Sequence, residues 1–415
     1  MLQLTKIAAL VLATTLSLTT ATVAQPLLIP KPNGPYATSL QHIELTDHNR
    51  PDPWNASHPR RLMVSRFDPV PKHKCRHSCA VPYMSPFLGA AEEAIYNSYF
   101  AGTGIELPAG VLASLRLQAC CTTKDKHGGH TDSKMGCLEP SKYPVVLLGA
   151  GLNTTRLFYS ALAQELASTG YTVITMDHPY ETDVVEFPSD GSVIFGGNVV
   201  GDLNNTAPLI RALDIRSQDA SFILDKLMIP FPDSSSKDAS KKAKVGMVGH
   251  SFGGAAAASA MLNDTRIVGG VNLDGYMFGP VLDTGVGRPG IHQSFLLWGS
   301  TGHNSSTDPS WGQFLETMKN KPAAEREWVK ELSLSGSTHG SFGDYGVIAD
   351  VAGWREDERL APLVDAFARP ISGRRIMEIS GKYLDAFMQM AVKGEREGRL
   401  LSGPVGEFPE VEFLS

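Results

Sequence analysis

From residue 143 onward, short continuous apolar runs alternate with stretches of helical period. Residues 143–148 (YPVVLL) and 171–176 (YTVITM) are runs of the kind found in parallel strands buried on both faces. Between them, 158–168 has helical spacing, and 210–227 reads as a long amphipathic helix. Four more strands are expected at 245–248, 267–273, 295–298 and 329–334. Such alternation predicts an α/β protein with a mostly parallel central sheet and helices on both faces. Near the end, 374–391 sets Ile376, Ile379, Tyr383, Phe387 and Met390 on one helical face, a stripe suited to packing on that sheet. The polar, charged stretch 234–244 reads as a solvated loop.

The first third is patterned differently. Residues 25–53 are rich in proline and polar groups and read as an extended leading segment, followed by an early strand at 61–67. An insertion at 68–142 holds all five cysteines, a helix around 89–99 and a polar stretch at 122–135, and its position suggests a cap or rim over the site that follows. No internal repeat or heptad is visible. Residues 1–24 read as a secretory signal: Lys6 precedes an apolar run at 7–18, and small residues at 22–24 precede Gln25. That run is too short and too rich in threonine for a membrane span, and no later run is long enough for one. The remainder, 25–415, is expected to form a single domain.

Charge and cysteine usage narrow the setting. With 37 Lys+Arg against 43 Asp+Glu the chain carries a net charge of -6, which argues against a nucleic-acid partner. Hydrophobic residues at 42% exclude a disordered chain. Sequons at Asn55, Asn153, Asn204, Asn263 and Asn304 fit an extracellular protein, as do cysteines expected to pair in an oxidising compartment. Adjacent Cys120 and Cys121 rarely bond each other, so one of them is expected to pair with Cys137, and Cys75 with Cys79. A zinc site around His73, Cys75, His77 and Cys79 is the weaker reading, because the spacing matches no standard ligand pattern.

The candidate chemistry centres on Gly249-His250-Ser251-Phe252-Gly253-Gly254. A bare G-x-S-x-G is a weak signal. Here it follows a buried strand and precedes a helix of small residues, the strand–turn–helix setting of a nucleophile elbow. A serine needs a base and an orienting carboxylate, which follow it in chain order. Of twelve histidines only His292, His303 and His339 come after Ser251. His339 lies just past the last expected strand, where the base belongs, whereas His303 sits in a polar loop beside a sequon and is expected to face solvent. For the acid, Asp274 ends the strand at 267–273, and Asp308 lies past the next strand, nearer the usual topological place. Asp283 lies too far into a glycine-rich loop to judge.

Several motifs carry a family resemblance when taken in order: His48-Asn-Arg50-Pro-Asp52-Pro leading into Arg61-Leu-Met-Val-Ser65, Gly151-Leu152, Leu157-Phe-Tyr159-Ser-Ala161, Asp177-His178, Leu224-Asp225, the Gly249–Gly254 elbow, Leu273-Asp274-Gly-Tyr-Met-Phe278 and His339-Gly-Ser-Phe342-Gly-Asp344. Together they resemble the platelet-activating-factor acetylhydrolases of plasma type and their secreted fungal-type relatives, within the α/β-hydrolases. The resemblance implies a triad of Ser251, Asp274 and His339, and an oxyanion hole formed by the backbone N–H groups of Phe252 and Leu152. It implies hydrolysis of a short sn-2 acyl ester of a phospholipid, with no metal or organic cofactor, and leaves lipid-surface association open. The family often has His-Gly-Leu where this chain has Ala150-Gly151-Leu152; the donor is backbone, so the departure bears on packing around the pocket. Asn153 stands next to that loop, where a glycan would crowd the site, and is expected unmodified. Asp274 is also favoured physically, since it ends an apolar strand and can be buried, whereas Asp308 sits in a polar segment expected to be solvated. The rival readings are another secreted esterase acting on polyesters, cell-wall esters or small lipids, and a catalytically silent binding protein of the same fold.

Overall fold

A computed structural model of the chain describes residues 26–121, 138–231, 245–368 and 370–414. Nine strands form the central sheet: β1 (Tyr36–Pro51), β2 (Pro59–Pro71), β3 (Val145–Gly149), β4 (Thr172–Asp177), β5 (Val245–His250), β6 (Ile267–Leu273), β7 (Ser294–Ser300), β8 (Val329–Leu334) and β9 (Val411–Phe413). Their spatial order is β9-β8-β7-β6-β5-β3-β4-β2-β1. The six strands from β4 to β8 run parallel, while β1, β2 and β9 add antiparallel edges. This is the α/β-hydrolase arrangement, and the continuous apolar runs occupy its centre: every residue of β3, β4 and β5 is buried.

Helices cover both faces: α1 (Pro86–Tyr99), α2 (Ser160–Ala167), α3 (Ala207–Lys226), α4 (Phe252–Asn263), α5 (Pro309–Asn320), α6 (Tyr345–Val351) and α7 (Gly373–Ala391). The sheet thereby separates two large apolar clusters. One contains α2, α6 and α7, the other α3, α4 and α5. On α7 the expected stripe is buried at Ile376, Ile379, Tyr383 and Phe387, with Met390 only partly covered.

The leading segment departs from expectation in one respect. Residues 36–51 are extended, as expected, but form β1 of the main sheet, paired antiparallel with β2 along nearly its whole length. As an edge strand with exposed positions toward its end, β1 lacks the unbroken apolar run that marks the central strands. Its Arg50, and Asp52 just past its end, which belong to one of the resemblance motifs, join a buried ion network instead of the site. Arg60 reaches Asp52 at 2.9 Å and Asp219 at 2.7 Å, Arg50 reaches Asp219 at 2.5 Å, and His178 Nδ1 lies 2.8 Å from Asp219. Asp219 sits on α3, so the network bolts that helix to the β1–β2 hairpin.

The cysteine pairing is a correction. Cys75 bonds Cys120 and Cys79 bonds Cys121, each with Cα atoms 5.5 Å apart. Residues Ser78–Pro82 and Leu115–Cys120 are antiparallel neighbours, with Ser78 opposite Cys120 and Cys79 opposite Ala119. That register delivers the adjacent cysteines to two different partners across the hairpin, and leaves neither free for Cys137, which lies outside the described residues. Two bridges closing loops of 45 and 42 residues stabilise by roughly 4 kcal/mol for the first, less for the second because the loops overlap. With Leu27–Leu28 these strands make a separate three-stranded sheet. No described residue of 68–142 lines the cleft presented below.

Candidate active site

The elbow is built by close backbone packing. Ser251 follows β5 directly and precedes α4, with φ 55° and ψ -127°, a strained conformation for a residue with a side chain. The turn is so tight that a Cβ on Gly249 would lie 1.9 Å from the Gly253 carbonyl oxygen, and one on Gly253 would lie 2.2 Å from that of Gly149. Only glycine fits either place. Ser251 N–H donates to the Leu273 carbonyl at 2.8 Å, and Gly254 N–H donates to the Ser251 carbonyl at 2.8 Å. Phe252 N–H lies in the first turn of α4, where N–H groups have no intrahelical acceptor.

The loop after β3 approaches from the other side. Arg216, buried on α3, donates to the carbonyls of Ala150 at 2.5 Å and Gly151 at 3.1 Å while paired with Glu181. Its guanidinium also lies 4.7 Å over the Phe252 ring. The Gly151 carbonyl and the Leu152 N–H belong to one planar peptide, so a bond that fixes the first orients the second. Gly151 N–H donates to the Tyr159 hydroxyl at 3.0 Å, and that hydroxyl donates to His250 Nδ1 at 2.8 Å. His250 Nε2–H donates in turn to the His339 carbonyl at 2.9 Å. Burial, and then the charge on nearby His339, push His250 down to about 3, which keeps the ring neutral in the tautomer these bonds require. A single chain of bonds therefore joins the loop after β3 to the loop that carries His339.

Asp274 ends β6 with φ 61° and is buried. Its Oδ2 lies 2.6 Å from His339 Nδ1. Its Oδ1 accepts from Ser300 N–H at 2.5 Å and lies 2.9 Å from His303 Nδ1. Burial disfavours its charge, yet the hydrogen bonds from His303 and His339 more than offset that and hold the carboxyl well below the usual carboxylate range. His339 opens a short 3-10 turn, His339–Phe342, stabilised by a reciprocal Thr338–Ser341 cap, and its ring is 53% exposed. Asp344 anchors the same loop by accepting from Ala161 and Leu162 N–H at the start of α2 and from the Tyr83 hydroxyl.

Ser251, Phe252, Leu152, Asp274 and His339 all line one cleft of about 680 Å³. Its walls are apolar at Leu203, Leu209, Tyr276 and Phe278, and polar at Thr301, His303 and Thr307. The structure thus brings together all five residues singled out from the sequence. It corrects two neighbours. Asp308 is not solvated but 1% exposed, because it caps α5 and accepts from Ser310 N–H at 2.8 Å. His303, expected to face solvent, is largely covered and lies with its Nε2 2.9 Å from Asp308 Oδ2. Asp-Pro-Ser at 308–310 is a helix-start signal that could have placed Asp308. Nothing local marks Arg216, and the motif that holds Tyr159 does not disclose its role; both roles arise only when distant segments meet. Among the described residues no cluster of His, Cys, Asp and Glu could hold a metal ion, and no helix is long and apolar enough to cross a membrane.

Comparison with known proteins places the chain in a family. The chain matches the family described as platelet-activating factor acetylhydrolase, isoform II, over residues 96–187 and 209–352. It is 38% identical over 395 residues, 95% of both chains, to a probable 1-alkyl-2-acetylglycerophosphocholine esterase of Arthroderma benhamiae. The chain belongs to this acetylhydrolase family. It is an ester hydrolase. The guinea pig (Cavia porcellus) platelet-activating factor acetylhydrolase is 27% identical over 337 residues, 76% of this chain and 69% of that one. Among solved structures, a ferulic acid esterase from Streptomyces cinnamoneus superposes with a TM-score of 0.68 at 26% identity, covering 94% of this chain and all of the other.

Proposed function

We propose that the protein hydrolyses the short sn-2 acyl ester of phospholipids of the platelet-activating-factor type, with Ser251 as nucleophile, His339 as base and Asp274 as orienting acid. The observation that carries the mechanism is the bond from His339 Nδ1 to buried Asp274 within the cleft that also exposes Ser251. Asp274 fixes the His339 tautomer with the proton on Nδ1, leaving Nε2 to accept the Ser251 proton as the hydroxyl attacks the ester carbonyl. The developing oxyanion is met by the N–H groups of Phe252 and Leu152. His339 then protonates the departing alcohol, and water, activated by the same ring, releases the short acid. This sequence calls on no cofactor.

Substrate class rests on the relatives, above all the 38% identical fungal esterase matched over nearly the whole of both chains. Leu203 and Tyr276 on the cleft wall are exposed and apolar, suited to meeting a lipid surface as the substrate enters. Secretion belongs to the same reading, supported by the signal-like pattern of residues 1–24 and by two disulfides.

A second reading, hydrolysis of a feruloyl or other cell-wall ester, is favoured by the ferulic acid esterase likeness and the aromatic walls at Phe252, Tyr276 and Phe278. One panel separates the two. The first reading expects fastest turnover on a phospholipid with an acetyl sn-2 chain, a steep fall with a long sn-2 chain, and no need for calcium. Preferential turnover of methyl ferulate, or undiminished turnover of long chains, would replace it.

A further inference from the structure

Outside the proposed triad, the most informative side chain is His303. Each of its ring nitrogens faces a buried carboxylate oxygen at 2.9 Å, Nδ1 toward Asp274 and Nε2 toward Asp308. A neutral imidazole has one N–H, so it could satisfy one carboxylate and would turn a lone pair on the other. The imidazolium donates to both. Because a ring lone pair held 2.9 Å from a buried carboxylate oxygen is repulsive, the geometry selects the charged ring. Burial works against that charge, but the bonds to Asp274 and then Asp308 outweigh it and raise His303 to about 9.

The rest of the surroundings hold the ring in place. Asp308 spends its other oxygen on the Ser310 N–H and hydroxyl, which fixes it as the cap of α5. The His303 ring lies 4.4 Å from the Trp311 ring and 5.8 Å from that of Tyr276. The further titratable groups nearby are His339 on the second oxygen of Asp274, His250 behind His339, and Glu331, which accepts from Ser305 in the His303 loop.

We propose that His303, held as an imidazolium between Asp308 and Asp274, is a positioning residue for the reaction: it locks one oxygen of Asp274 and sets how readily His339 takes up a proton. The proposal rests on the assignment of Ser251, His339 and Asp274 made above. Asp274 stabilises the imidazolium that His339 becomes. A second cation on the same carboxylate offsets part of the negative potential that stabilises the His339 imidazolium. Without that cation His339 would hold its proton longer, and the acidic limb of the kcat/KM profile would move up.

Two variants test this on a short-chain phospholipid ester. His303→Gln removes the charge but keeps an amide able to donate to Asp274. Asp308→Asn keeps a side chain that caps α5 but removes one of the two carboxylates that hold the ring charged. The expected result for His303→Gln is an acidic limb raised by about 0.5–1 pH unit, with kcat lowered about tenfold and KM nearly unchanged. Asp308→Asn should move the limb the same way by less, and it carries the test alone if His303→Gln does not fold. A limb that stays at the parent pH in the folded variants, even with a reduced rate, marks a merely structural role and overturns the proposal. Asp274→Asn, measured in parallel, separates the two levels. If it loses turnover while the limb of the other variants stays put, only the role of His303 fails; if it keeps turnover, the triad assignment itself fails.

Discussion

The two sides of the cleft are held by different means. On the nucleophile's side the backbone sets the geometry: Gly249 and Gly253 let β5, α4 and the end of β3 approach to distances no other residue allows, and Arg216 clamps the carbonyls of the facing loop. On the acid–base side the geometry comes from side chains, a line running Asp308–His303–Asp274–His339 drawn from three separate segments. A backbone-built turn tolerates almost no change of residue but does not respond to pH. A line of ionisable side chains tolerates conservative change but couples its geometry to protonation.

Breaking the acid–base line at its centre gives the largest expected effect. Asp274→Asn should leave a folded protein whose turnover falls by up to about 10⁴, because an amide can hold His339 in the wrong tautomer. Steady-state kinetics on a short-chain ester check this, with circular dichroism to verify folding. A smaller loss is expected on the opposite side. Arg216→Lys cannot bridge two carbonyls and Glu181 at once, and should lower kcat by about 10², the scale of losing one oxyanion donor, with little change in KM. Loss confined to KM would show that Arg216 acts on binding instead.

The smallest effect is on stability. The folded-state value of His303 is raised from its ordinary 6.5 to about 9, so its contribution is complete below pH 6.5 and is lost as the pH rises through about 9. Melting temperature followed from pH 6 to pH 10 should decline over that upper window in the parent and less steeply in His303→Gln. Equal slopes would mean that the ring titrates alike in the folded and unfolded chains.

The same contrast explains what could be read from the sequence. The elbow was legible because its requirements are local: two glycines, a serine between them and four alanines after them stand within ten residues, following an apolar run. The central strands were legible for a related reason, since burial on both faces favours the apolar residues that fill β3 and the middle of β4. The β1–β2 hairpin was half seen, because β1 at the sheet edge alternates with solvent and lacks that signature. His303 was read as exposed and Asp308 as solvated from a polar, sequon-bearing stretch. Their burial depends on α5 starting at Pro309 and folding Trp311 under the ring, which composition does not encode. The disulfides failed for a like reason: pairing follows the register of Ser78–Pro82 against Leu115–Cys120, and spacing along the chain carries no register.

The central claim is that Ser251 attacks the ester carbonyl. The most direct measurement is titration with a fluorophosphonate probe, with residual ester hydrolysis recorded against the extent of labelling and the modified peptide identified by mass spectrometry. The account predicts one equivalent of label, carried by the peptide containing Ser251, with hydrolysis lost in proportion. Full labelling of Ser251 with hydrolysis retained, or hydrolysis lost with the label on another side chain, would contradict it.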